Sequence, residues 1–173
     1  TEFRDRTGID AALSLEADVL LRGDEVIPLG QRAVSVLREL AKRRMLAAVP
    51  KADLVVMNPT HYAVALKYDE ATMAAPRVVA KGADLLAMRI RDLAKESKVP
   101  VLQSPMLARA LYAHAELDRE IPAALFAAVA QVLAYVYQLK AAMAGRGAMP
   151  EQAPDPKVPP ELDPHNKPRH DEE

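Results

Sequence analysis

Residues 53–69 read DLVVMNPTHYAVALKYD. Two short apolar runs enter and leave the tetrapeptide Asn58-Pro59-Thr60-His61. Valine-rich runs of this length suit a pleated, buried surface, and Asn and Pro are turn formers, so the stretch reads as two strands joined by a turn. Pro at the second position of a turn presets φ near the value the turn requires. The open question is whether the tetrapeptide only joins the strands or also performs chemistry.

Working outward, residues 77–80 and 100–103 are two further strand candidates, rich in valine and bounded by Pro or Gly. Between and around the strands lie four helical patterns. QRAVSVLRELAKRRMLAA, residues 31–48, repeats Val34, Leu37, Leu40 and Ala41 at helical spacing and carries Lys42, Arg43 and Arg44 towards its end. Cations there suit the helix dipole and solvent; a contact with acidic lipid or a partner is the alternative. KGADLLAMRIRDLAKESK, residues 81–98, is amphipathic, with Leu85, Met88, Ile90 and Leu93 on the expected apolar face. Ser104 and Pro105 form an N-cap and first-turn signal for the third helix. Pro122 opens the fourth, which is apolar on most faces and is expected to be the most buried.

This order predicts an α/β domain over about residues 34–143: a small four-stranded sheet surrounded by about four helices. Residues 1–33 form an N-terminal linker segment. Gly8, Gly23, Pro28 and Gly30 bar a long helix from it, and a short helix from about Ile9 to Leu21, capped by Asp10, is expected. Residues 144–173 repeat Pro among charges and are expected to form a disordered or extended tail that adds nothing to a core.

Composition narrows the function. The formal charge of −1 over 173 residues and the sparse aromatics, 4%, argue against a nucleic-acid partner. There is no cysteine, which excludes disulfides, thiol catalysis and cysteine zinc sites. No stretch reaches the roughly 18–20 uninterrupted apolar residues of a membrane-spanning helix, and no signal peptide is visible. The chain therefore reads as soluble, and its start without Met suggests a piece of a longer protein. Of the four histidines, His165 and His170 lie in the tail and read as solvated, and His114 falls at a helix end. His61 alone stands at a candidate site. No HExxH, GxSxG, Walker or GxGxxG pattern occurs, so no cofactor or metal site is expected, nor a turnover enzyme. A hydrolase built on His61 would lack a nucleophile and an acid partner.

The Asn58-Pro59 pair has a chemistry of its own. Asparagine usually ages when the next backbone nitrogen attacks its side chain, but proline has no N–H, which closes that route. The alternative is attack by the Asn58 amide nitrogen on its own backbone carbonyl, which expels the Pro59 nitrogen and cuts the chain. A fold that presets the attack pose and donates to the oxyanion would supply the rate. Thr60 stands where its hydroxyl could fix the turn or donate to the oxyanion, and His61 where it could move the proton.

The segments VPKADLVVMNPTHYAVALKYDE, APRVVAKGAD, LARALY and IPAALFAAVAQVLAYVYQL, spread over about residues 36–140, closely resemble the cytoplasmic domain of the FlhB family of flagellar type III export switch proteins. YscU, SpaS and EscU are more distant members. The resemblance implies self-cleavage between Asn58 and Pro59, with Asn58, Pro59, Thr60 and His61 as the site residues, and pieces that stay together in one fold. It implies a place at the cytoplasmic face of the inner membrane, behind membrane helices absent from this chain. It also implies a switch in export from rod and hook to filament subunits. The implied partners are export gate components, a hook-length control protein and export substrates. A non-cleaving adaptor, in which the tetrapeptide is only a turn, is the competing expectation. The first 30 residues depart from the family pattern of a long charged helix.

Overall fold

The computed structural model describes residues 2–4, 10–14, 19–22, 25–27, 30–59 and 61–166. The chain divides into two compact units, residues 1–47 and 48–173. The first holds an antiparallel meander of β1 (Glu2–Arg4), β2 (Asp10–Ser14), β3 (Val19–Arg22) and β4 (Glu25–Ile27). The helix expected from Ile9 to Leu21 is thus replaced by strands. Its Ala, Leu and Glu content favours helix locally, but cross-strand pairing prevails: Ala12 faces Leu21, and Arg22 faces Glu25.

Helix α1 spans Gln31–Ala48, as its periodicity predicts. Its buried stripe is Val34, Ala41 and Met45, and Leu40, expected inside, is exposed. Lys42, Arg43 and Arg44 are also exposed and end a turn short of the helix terminus, so solvation accounts for them better than the dipole does. Arg43 reaches Glu39 at 3.4 Å.

The second unit is built on β5 (Leu54–Asn58), β6 (Tyr62–Lys67), β7 (Arg77–Ala83) and β8 (Val101–Gln103), ordered β7-β6-β5-β8. The β5–β6 and β6–β7 pairs are antiparallel and β5–β8 is parallel. All four expected strands are present. Central β5 is buried on both faces, which explains its unbroken apolar run.

Side-chain alternation sorts the layers. Leu54, Val56, Val64, Leu66 and Val78 point into a core shared with α3 (Pro105–His114) and α4 (Phe126–Met143). Helix α2 (Asp84–Glu96) lies against β6 and β7. Its buried stripe is Ala87, Ile90 and Ala94: of the predicted face Ile90 is buried, Met88 and Leu93 are half-buried, and Leu85 is 87% exposed. Helix α3 has Ser104 at its N-cap and Pro105 in the first turn, although the Ser104 hydroxyl makes no capping bond.

Pro122 is followed by a 3₁₀ turn, Ala123–Leu125, before α4 begins. By length and composition Ala123–Met143 would suffice to cross a membrane. Here it packs Val129, Val132, Leu133 and Val136 into the core and leaves Phe126, Tyr137 and Met143 exposed. It is therefore not the most buried helix. An apolar circumference does not imply a buried one, because alanine supplies much of it.

The described part of the tail, residues 144–166, carries no helix or strand beyond two 3₁₀ turns, Pro160–Leu162 and Pro164–Asn166. It is extended, but the expectation that it adds nothing to the core needs correcting. Val158 joins the main cluster and Asp163 is buried.

Candidate functional site

Strands β5 and β6 keep strict register up to the tetrapeptide, where Asn58 faces Tyr62. Three residues connect them, so Asn58 is the last ladder residue and Pro59 opens the turn. The His61 amide donates to the Asn58 carbonyl oxygen at 3.1 Å. That geometry closes a β-turn with Pro59 at its second position, the place its fixed φ suits. The same oxygen belongs to the carbonyl of the Asn58–Pro59 bond. The turn thus puts an N–H donor on the oxygen that would take up charge if that carbonyl were attacked.

Pro59 and His61 are exposed, Asn58 is half-buried, and Thr60 lies outside the described residues. His61 is held from behind by the first residue of α2. The Asp84 amide donates to the His61 carbonyl at 2.9 Å, and Asp84 Oδ1 lies 4.0 Å from His61 Nδ1. These side chains are 63% and 81% exposed, so solvent screens the contact between them. Asp84 adopts φ of +49°, a left-handed conformation that Asp tolerates better than most residues.

Sequence reasoning placed Asp84 in the KGAD segment but gave it no part in the site. Its signals were an acidic residue opening a helix and a preceding glycine. Gly82 faces Ala63 across the sheet, and a Cβ on it would stand 2.5 Å from Leu86 Cγ and 2.9 Å from Leu86 Cβ. Only glycine lets the first turn of α2 sit this close to β7, and that turn carries Asp84.

The hairpin is anchored on its other side by Tyr62, directly after His61. Its ring stacks on Tyr112 of α3 with centroids 4.5 Å apart. Lys81 from β7 lies over the Tyr112 ring and donates to the carbonyls of Tyr112 and Ala115 at 3.3 and 2.9 Å. Farther along the ladder, the Tyr68 amide donates to Asp53 Oδ2 at 2.9 Å. The turn is therefore fixed by its ladder, by α2 and by α3. His114 ends α3 and is exposed, as expected, and His165 lies in the tail. His170 lies outside the described residues.

A ladder-anchored Asn-Pro turn on a small mixed sheet defines the class: an α/β domain with a polar hairpin tip. Residues 29–136 match the model of the FlhB HrpN YscU SpaS family. The chain belongs to that family.

It is 56% identical over 135 residues to the flagellar biosynthetic protein FlhB of Escherichia coli K12, covering 78% of this chain and 35% of that protein. It is 54% identical to FlhB of Bacillus subtilis over 103 residues, 60% of this chain and 29% of that protein. The chain thus spans about a third of these relatives. Among solved structures, the cytoplasmic domain of FlhB from Shewanella putrefaciens superposes with a TM-score of 0.68 at 49% identity, covering 73% of this chain and 98% of that one. An EscU C-terminal domain with a mutated asparagine matches at a TM-score of 0.52 and 30% identity, over 53% of this chain and 92% of that one.

Proposed function

We propose that this chain cleaves itself once between Asn58 and Pro59 and serves the flagellar export apparatus as a switch for substrate class. The observation that carries the chemistry is the His61 amide on the Asn58 carbonyl oxygen within a proline-led turn. EscU structures with either an asparagine or the proline that follows it replaced support attention to this dipeptide.

The step balances within the chain. The Asn58 amide nitrogen bonds to the Asn58 carbonyl carbon and loses a proton. The tetrahedral oxygen is stabilised by the His61 N–H. The bond to the Pro59 nitrogen then breaks, and that nitrogen takes up a proton. The products are a C-terminal succinimide on Asn58 and an N-terminal Pro59. The His61 imidazole, 4.0 Å from Asp84, is the candidate group for moving the proton. Thr60 is the remaining candidate, for fixing the turn or donating to the oxyanion.

As the domain of an export switch, it would act at the cytoplasmic face of the inner membrane. Export gate components, a hook-length control protein and export substrates are the partners it would meet. Cutting the turn would free residues 59–61 to adopt conformations such a partner can read.

Intact-mass analysis of the purified chain under denaturing conditions tests the chemistry. Expected are one piece ending at Asn58 and one starting at Pro59, with Asn58→Ala intact. A wild-type chain that stays whole on prolonged incubation would leave the tetrapeptide as a turn and the domain as a non-cleaving adaptor.

A further inference from the structure

The Asn58 side chain has a neighbour that closure of the turn does not require. Side chains directly opposite in an antiparallel ladder lie on the same face of the sheet, with Cβ atoms roughly 4.5–5.5 Å apart, and Asn58 stands opposite Tyr62. Alternation puts Asn58 in one row with Leu54 and Val56, and Tyr62 in one row with Val64 and Leu66. Those rows form the core face that α3 and α4 cover. The Asn58 amide therefore leaves the strand on the α3 side, beside the Tyr62 ring. His61, one residue earlier than Tyr62, meets Asp84 of α2 instead.

That ring is held in place by α3. Tyr62 and Tyr112 stack with planes 28° apart, and both residues are half-buried. Lys81 fixes Tyr112 in turn: its ammonium stands 5.4 Å from the ring centroid and donates to the carbonyls of Tyr112 and Ala115, where α3 ends. The ladder and Pro59 close the turn without any of these groups, so the stack has another consequence. We propose that Tyr62 is a positioning residue for cleavage at Asn58-Pro59: its ring, held by Tyr112, walls the cross-strand side of the Asn58 side chain and turns the amide nitrogen back towards its own carbonyl. The inference rests on the self-cleavage proposed above and adds to it the group that sets the attack pose. An asparagine at an open strand end samples three staggered wells about χ1, and only a conformer with the nitrogen over the carbonyl carbon can close the ring. Excluding the wells that point across the ladder raises the population of that conformer with no change in the backbone.

The test refolds the full chain from denaturant and follows cleavage by intact mass under denaturing conditions. Tyr62→Leu removes the ring and should slow cleavage at least roughly 10-fold, within the roughly 100-fold that a 1 Å misplacement costs. Tyr62→Phe keeps the ring and its stack and should cleave within about 2-fold of wild type. Tyr112→Leu, on α3 and outside the ladder, should slow cleavage too. The double variant should be no slower than Tyr62→Leu alone, because both changes remove one wall. Val64→Ala, two residues along β6 on the same face, loosens the core but leaves the wall, and should stay within about 2-fold of wild type. Protection of β5 amides from exchange shows that each variant is folded at the assay temperature. If Tyr62→Leu is not, Tyr112→Leu carries the prediction alone, and a wild-type rate in it overturns the inference. With self-cleavage still standing, the inference is also overturned if Tyr62→Leu keeps pace with wild type, if Tyr62→Phe is as slow as Tyr62→Leu, or if Val64→Ala slows cleavage as much. A wild-type chain that stays whole overturns self-cleavage itself, and this inference with it.

Discussion

At Asn58 one hydrogen bond serves two ends: the His61 amide closes the turn and points at the oxygen of the bond the turn contains. Asn58→Ala removes the attacking nitrogen and should abolish cleavage with the fold intact. Pro59→Ala keeps that nitrogen and should cleave more slowly than wild type but faster than Asn58→Ala. It also restores a backbone N–H after Asn58, so deamidated, uncut chain should accumulate beside the two pieces in a mass spectrum. His61→Ala keeps the backbone donor and loses only the imidazole. Its slowing should sit at the low end of the roughly 10²–10⁴-fold that positioned proton transfer contributes, because solvent reaches this turn. A time course of cleavage after refolding measures all three. The turn at the tetrapeptide was legible in the sequence because Asn and Pro are turn formers between two valine-rich runs. Asp84 was not, because its contact with His61 depends on β7 delivering the start of α2 beside the turn.

Among the elements, α2 shows where reading by pattern stops. Its helical period was plain, but the sheet sets its phase, and the seam runs through Ala87, Ile90 and Ala94 with Leu85 outside. Alanine holds two of the three buried positions, where α2 packs close to β7, the same closeness that requires Gly82. The four strands of the second sheet were legible because buried valine runs leave few alternatives. The first sheet was missed because residues 9–21 carry helix-forming side chains, and the pairing that overrides them, Ala12 with Leu21 and Leu13 with Leu20, leaves no alternating pattern to read. Gly82→Ala would force Leu86 to shift by more than a methyl group can yield, and overpacking of this kind costs about 1–3 kcal/mol. The expected result is a lowered melting temperature together with slower cleavage, since α2 carries Asp84 away from His61. The tail, strapped to α3 by the pair of Asp163 with Arg109, makes a pH prediction. The Arg109 guanidinium holds the Asp163 carboxyl down at about 2, against an ordinary 3.8. A depressed carboxyl contributes to docking above its free value and loses that contribution as protons bind the docked form. The strap should therefore stay ordered from neutral pH down to about 4 and loosen progressively towards about 2, as read by backbone amide relaxation of residues 156–166.

For the molecule as a whole, the position of the bond matters as much as its chemistry. A cut after Asn58 leaves β5 on the first piece and β6, β7 and β8 on the second, yet β5 lies between β6 and β8. Its five register pairs with β6 and three with β8 cross between the pieces. Leu54, Val55 and Val56 have no exposed surface, and burying each such side chain is worth about 1.5–3 kcal/mol. Separation would expose these residues and leave ladder groups of β6 and β8 unpaired, a penalty far greater than the loss of one covalent link at an exposed turn. The cleaved protein should therefore run as a single species on native size exclusion and as two on a denaturing gel. Because the link no longer holds the ends together, unfolding becomes dissociation, and its midpoint in urea should rise with protein concentration. The uncut Asn58→Ala chain should show a midpoint independent of concentration. Equal concentration dependence in both would mean that self-association of the chain, not rejoining of two pieces, sets the midpoint.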